Sequence, residues 1–188
     1  MDKIVLDIET KNTFADVGGE RNLKNLQVSF VGVYSYQQDS FLSFFEDEIA
    51  NLRPYLQNAG LVVGFASNRF DLPVLQSHFD FNLMKLPRLD LLEEIELSFG
   101  KRVSLNRLAH ANLGETKLHD SGLASIRLYE EGKFEELKEY CLQDVKLTRD
   151  LYNLAQRQGF LLVPERTSGE NVKVEFTWPE LFLPSTLF

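Results

Sequence analysis

KIVLDIET, Lys3 to Thr10, reads as a β-strand with two unlike faces. Side chains on a strand alternate, so Ile4, Leu6 and Ile8 share one face and Val5, Asp7 and Glu9 the other. The apolar face marks the strand as central. Asp7 and Glu9 then project side by side, about 6–7 Å apart at the backbone. Two partly buried carboxylates so placed are costly unless something positive sits between them. Hard oxygen ligands of this kind suit Mg²⁺ or Mn²⁺. A lone Asp-x-Glu is more often a pair of surface acids, so the metal reading needs support from the rest of the chain.

Outward from this strand, Lys11 to Asn25 is a polar loop carrying Gly18-Gly19. Val28 to Tyr36 and Phe41 to Phe45 read as two strands joined by the polar turn Gln37 to Ser40, an antiparallel meander with the first strand. Glu46 to Gln57 reads as a helix, Leu61 to Phe65 as a buried strand and Phe70 to Phe79 as a second helix, with Pro73 in its first turn. Leu86 to Asp90 is a fifth strand. Helical patterns follow over Leu91 to Phe99, Ser104 to Asn112 and Phe134 to Gln158, the last stopped by Gly159. Val172 to Trp178 could add an edge strand. Three antiparallel strands, then helix and strand alternating, predict an α/β fold with a mixed central sheet flanked by helices. No linker interrupts the 188 residues, so we expect one domain over 1–188, with 160–188 a C-terminal extension.

Composition limits the partners. Lys and Arg number 20 against 28 Asp and Glu, a net charge of −8, which argues against a protein that coats nucleic acid through charge alone. It leaves room for an enzyme whose metal ions meet the phosphates. With 44% hydrophobic and 26% charged residues the chain is expected to fold, and no apolar run approaches the roughly 20 residues of a membrane span. MDKIVLDIET puts acids where a signal peptide needs a basic and then an apolar stretch, so we expect no membrane association and a cytoplasmic location. The single cysteine, Cys141, excludes an internal disulfide framework and fits a reducing compartment.

Two further signals strengthen the acidic pair. Asp71, in GFASNRFDLP, stands where a strand has ended, a loop turns and a helix begins, which is where open α/β sheets gather their ligands. A plain acid at a helix N-terminus would look the same. Tyr140 and Asp144, in YCLQD, are one helical turn apart and share a face. Leu137, Cys141, Val145 and Thr148 line the same side, which carries Asp144 on the core-facing flank, where it needs a partner; a surface-facing Asp144 beside a core Tyr140 would show the same pattern.

The three segments together resemble the DEDD superfamily of RNase H-like 3′–5′ exonucleases. VLDIET (Val5 to Thr10) matches the first motif, Phe70-Asp71 the second and YCLQD the third in its Tyr-x-x-x-Asp form. That form marks the DEDDy branch, shared with family B DNA polymerase proofreading domains; the sister branch has His five before the last Asp, where this chain has Glu139. The resemblance covers roughly residues 1 to 160 and implies an RNase H-like fold. It also implies two Mg²⁺ or Mn²⁺ ions, about 4 Å apart, held by Asp7, Glu9, Asp71 and Asp144. On this reading Asp7 bridges both ions, Glu9 and Asp144 serve the ion on the side of the attacking water, Asp71 the other, and Tyr140 orients the water. The substrate expected on this reading is the 3′ end of single-stranded nucleic acid, DNA ahead of RNA, and a polymerase or helicase is a candidate protein partner. One place departs: the family often has Gly-x-Asn before the second motif, where this chain has Ala66, and Asn68 stands three before Asp71.

Other residues weigh less. His78, His110 and His119 share no metal-ligand spacing. Asp90 ends a strand near the site, which N-capping of the next helix explains as well, and Arg21, Lys24, Lys101, Arg102 and Arg107 read as solvated charges that could touch phosphate. Phe14 and Leu23 could wedge against terminal bases. The competing expectation is an RNase H-like module that has lost catalysis and grips nucleic acid or a polymerase. Retention of all four acids and Tyr140 counts against it.

Overall fold

The computed structural model describes residues 1–115, 123–165 and 169–176. The opening strand, β1 (Asp2–Thr10), lies at the centre of a five-stranded sheet of order β3-β2-β1-β4-β5. β2 (Val28–Ser35) pairs antiparallel with β1, and β3 (Ser40–Phe45) antiparallel with β2. β4 (Ala59–Gly64) runs parallel to β1 on its other side, and β5 (Arg88–Asp90) parallel to β4. The sheet is thus mixed, with three antiparallel strands followed by two parallel ones, and helices cover both faces.

The alternation along β1 sorts the two layers of core. Ile4, Leu6 and Ile8 pack with Leu52 and Leu56, and with Leu72 and Leu75 of α2 (Asp71–Leu75). Leu56 belongs to a short helix, α1 (Arg53–Gln57). Val5, on the opposite face, meets α3 (Leu91–Phe99), α4 (Leu105–Leu113) and the long α6 (Phe134–Gln158). α5 (Leu123–Glu130) packs Leu128 against Leu137 and Tyr140 of α6. Asp7 and Glu9 therefore emerge on the side covered by α6. Among the described residues no helix is long and apolar enough to cross a membrane.

Several boundaries differ from expectation, for local reasons. Glu46 to Gln57 is a 3-10 turn over Glu46–Leu52 followed by α1, whose first turn holds Pro54, where a missing N–H breaks no helical bond. The helix expected over Phe70 to Phe79 stops at Leu75. The Gln76 side chain there donates to the carbonyls of Phe79 and Phe81 and accepts from the Leu83 N–H, turning the chain away. β7 (Asn171–Glu175) does not extend the main sheet. It forms a hairpin with β6 (Phe160–Pro164), fastened where Asn112 of α4 both donates to the Leu162 carbonyl and accepts from its N–H. Trp178 and His119 lie outside the described residues.

Candidate active site

Gly64 ends β4, and the chain must then turn at once to carry Asp71 back to β1. A Cβ on Gly64 would fall 2.2 Å from the Ser67 hydroxyl, so only glycine permits this close return. Ala66 follows with φ of 64°, in the left-handed region. Asn tolerates that conformation far better than Ala, which gives a backbone reason for the Asn of the Gly-x-Asn pattern. Asn68 faces elsewhere: its side chain accepts from Arg88 and donates to Glu93.

A buried carboxylate holds the loop in place. Asp90, at the end of β5, accepts from the backbone N–H groups of Ala66 (2.8 Å) and Asn68 (2.9 Å) and also caps α3 through Leu92. The expectation of a plain N-cap saw half of this role, because the loop bonds come from 22 and 24 residues away. Asp90→Ala should cost about 2–4 kcal/mol, the sum of a lost cap and stranded N–H groups. A thermal melt checks it; a change near zero would show that the loop holds itself.

Asp71 reaches β1 directly. β1 pairs with β4 only as far as Val5, and beyond that point the Ile8 N–H donates to the Asp71 carboxylate at 3.0 Å. Tyr140 and Asp144 come down from α6 on the same wall. Asp7, Glu9, Asp71, Tyr140 and Asp144 all line one open cleft of about 1100 Å³. Of these, only Asp7 is more than slightly exposed.

The electrostatics are those of crowded acids. Burial, with the charges of Asp90 and Asp144 adding to it, pushes the Asp71 carboxyl up to about 7. Burial, then the charges of Glu9, Asp144 and Asp7, pushes the Tyr140 phenol well above its usual value. The same influences hold the Cys141 thiol protonated. Atoms of Asp7, Glu9 and Cys141 able to bind a metal lie within 4.8 Å of one another. The two carboxylates of that group, Asp7 and Glu9, offer the hard oxygen atoms that a divalent cation such as Mg²⁺ or Mn²⁺ takes.

The rest of the cleft wall departs from the sequence reading in its cations. Arg102 and Arg107 line it, joined by Arg69, which the sequence reading passed over. Arg69 and Arg102 share Glu96, at 2.5 and 3.0 Å, and Arg107 donates to the Glu165 carbonyl at 3.2 Å. The only sequence hint of Arg69 was its place beside the second motif. Phe14 and Leu23 are on the wall, with Phe14 edge-on to Phe70 at 5.7 Å between centroids. His78 and His110 are not.

A mixed sheet with acids from β1, α2 and α6 gathered at one cleft is consistent with an RNase H-like exonuclease. The chain belongs to the 3′–5′ exonuclease family, whose model matches residues 1–158. The family is one of exonuclease hydrolases, and it depends on divalent metal. The chain's fold is similar to that of the family B DNA polymerase from the hyperthermophilic archaeon Pyrobaculum calidifontis, with a TM-score of 0.64 and 18% identity. That likeness covers 83% of this chain and 24% of the polymerase, so the chain spans about a quarter of its length. No curated protein matches the sequence.

Proposed function

We propose that this chain removes nucleotides from the 3′ end of single-stranded nucleic acid, DNA in preference to RNA. Asp7, Glu9, Asp71 and Asp144 hold two Mg²⁺ or Mn²⁺ ions, and Tyr140 makes the chain a DEDDy exonuclease. The observation that carries this is the convergence of α6, α2 and β1, which brings Tyr140 and the four acids onto one wall of an open cleft. When bound, the ions polarise the scissile phosphate and make water a nucleophile at neutral pH. The chain's own residues do the rest. Asp7 and Glu9 would hold the cation against β1, and the reacting phosphate would meet these acids only through it. Asp71 is held by the Ile8 N–H, so its carboxylate has one orientation. Tyr140, with its proton held tightly, orients the attacking water by hydrogen bonding and does not take its proton.

Arg107 and Arg102 offer the cleft's attraction to phosphate, and the Phe14–Phe70 pair a face for a base. We read residues 1–188 as one domain, with 160–188 as an extension whose hairpin shares the α6-side core through Leu161 and Val174. The similarity of fold to part of a DNA polymerase supports DNA over RNA and makes a polymerase, ahead of a helicase, the first partner to test. A lone buried thiol fits a cytoplasmic setting.

The test uses 5′-labelled single-stranded DNA and RNA with Mg²⁺ or Mn²⁺. A ladder shortening from the 3′ end, faster on DNA, is expected. No cleavage with either metal would leave the binding module as the better account. Tyr140→Phe should slow turnover by about 10- to 100-fold with substrate affinity nearly unchanged, as for loss of a water-orienting contact. A wild-type rate in a single-turnover assay would make Tyr140 a packing residue.

A further inference from the structure

Cys141 lies between Tyr140 and the turn that carries Asp144, fully buried on the α6 face that presses on the sheet. The strand residue directly opposite Asp7 in the β1–β2 ladder is Gly32. A Cβ on Gly32 would stand 3.0 Å from Val145 Cγ2, 3.1 Å from Cys141 Sγ and 3.2 Å from Leu142 Cδ2. The missing side chain thus lets α6 sit down on the sheet beside Asp7. At this contact Cys141 Sγ comes within 3.4 Å of Asp7 Oδ2 and 3.5 Å of the Asp7 carbonyl oxygen, both within reach of a sulfur donor.

We propose that Cys141 is a positioning residue for Asp7: its S–H donates to one carboxylate oxygen and thereby sets how Asp7 presents itself to a divalent metal. The proposal rests on the reading of Asp7 as a metal ligand. A thiol is a weak donor, but in a partly buried contact against a fully buried helix face even a weak bond favours one rotamer of a short side chain. Groups that orient a metal ligand are worth about 10- to 100-fold in metal affinity. Hard cations take carboxylate oxygen in preference to sulfur, so Cys141 acts through Asp7 and is not itself a ligand for Mg²⁺ or Mn²⁺. The acid, the thiol and the glycine form one unit: Gly32 makes the space, Cys141 fills it, and Asp7 is aimed by the result.

Two substitutions separate this role from plain core packing. Cys141→Val keeps apolar bulk and loses the donor; Cys141→Ser keeps a donor and introduces a polar atom into the core. Mn²⁺ affinity of the full chain, measured by calorimetry, should fall about 10-fold in Cys141→Val and stay within about 3-fold of wild type in Cys141→Ser. Turnover should follow the same order, with KM for the oligonucleotide unchanged, while melts in chelator put Cys141→Ser below Cys141→Val. Unchanged Mn²⁺ affinity in Cys141→Val, or equal losses in both variants, would overturn the role of Cys141 and leave the metal site standing. A wild-type chain that binds no Mn²⁺ would instead overturn the metal reading itself, and this proposal with it.

Discussion

Asp7→Ala is expected to lower 3′–5′ hydrolysis by about 10³-fold or more while leaving the chain folded. Metal-borne stabilisation of the reacting phosphate is worth several kcal/mol, and each decade of rate is about 1.4 kcal/mol. Asp7 is the candidate ligand best placed to lose its side chain harmlessly. It is half-buried at the mouth of the cleft, and its strand is held by Ile4, Leu6 and Ile8 on the opposite face and by ladders to β2 and β4. Removing one of several crowded acids should leave the melt in chelator level or slightly raised. Single-turnover cleavage of a 5′-labelled strand, paired with that melt, measures both halves. A rate within tenfold of wild type would remove Asp7 from the site; a collapsed melt would make it a structural acid. Asp71→Ala should differ in kind, since it also strands the buried Ile8 N–H, and the melt should fall by about 1–3 kcal/mol along with the rate.

The contrast between these two acids shows what a sequence can reveal. β1 was legible because a strand's period of two and a buried face write themselves directly into KIVLDIET. The same holds for α6, where Leu137, Cys141, Val145 and Thr148 mark the buried side and Gly159, with φ of 76°, marks the end. The mixed sheet, three antiparallel strands and then two parallel ones, followed from these elements through the turn between β2 and β3 and the strand-helix alternation after it. What stayed hidden were the contacts made at long separation. Nothing near Asp90 in the chain announces that it anchors the loop before Asp71, and nothing near Gly32 announces that it seats α6 beside Asp7. Ala66 has a residue type that gives no warning of a left-handed backbone. Arg69, Arg102 and Arg107 look like any solvated cations until the fold turns them toward one cleft. α5 is only eight residues long, so its periodicity alone did not distinguish it from loop. The acids were found by motif; their supports are products of tertiary packing.

Asp144→Asn should abolish catalysis and yet stabilise the metal-free protein, by an amount on the order of 1 kcal/mol, or about 2–4 °C at this chain length. The carboxamide keeps the shape and removes one charge from a pocket in which Asp71 is already pushed up to about 7 by burial and by the neighbouring acids Asp90 and Asp144. The sign with pH follows from that shift. Between its ordinary value of 3.8 and about 7, folded Asp71 holds a proton that the unfolded chain has released. The metal-free protein therefore loses stability as pH rises through that window and stays at the lower level above it. Removing the Asp144 charge lowers the folded-state affinity of Asp71 for its proton and shrinks the loss, so the gain in Asp144→Asn should be larger at pH 8 than at pH 5. Metal should act in the opposite sense: at a hundred times its dissociation constant a bound ion adds about 2.7 kcal/mol by mass action, and the variant, short of a ligand, should gain less. Melts of both proteins at pH 5 and pH 8, in chelator and in millimolar Mg²⁺, supply every term. If the variant melts below wild type in chelator at pH 8 and both proteins respond equally to Mg²⁺, Asp144 is a structural partner within the core, and the charge that strains the pocket belongs to the other acids.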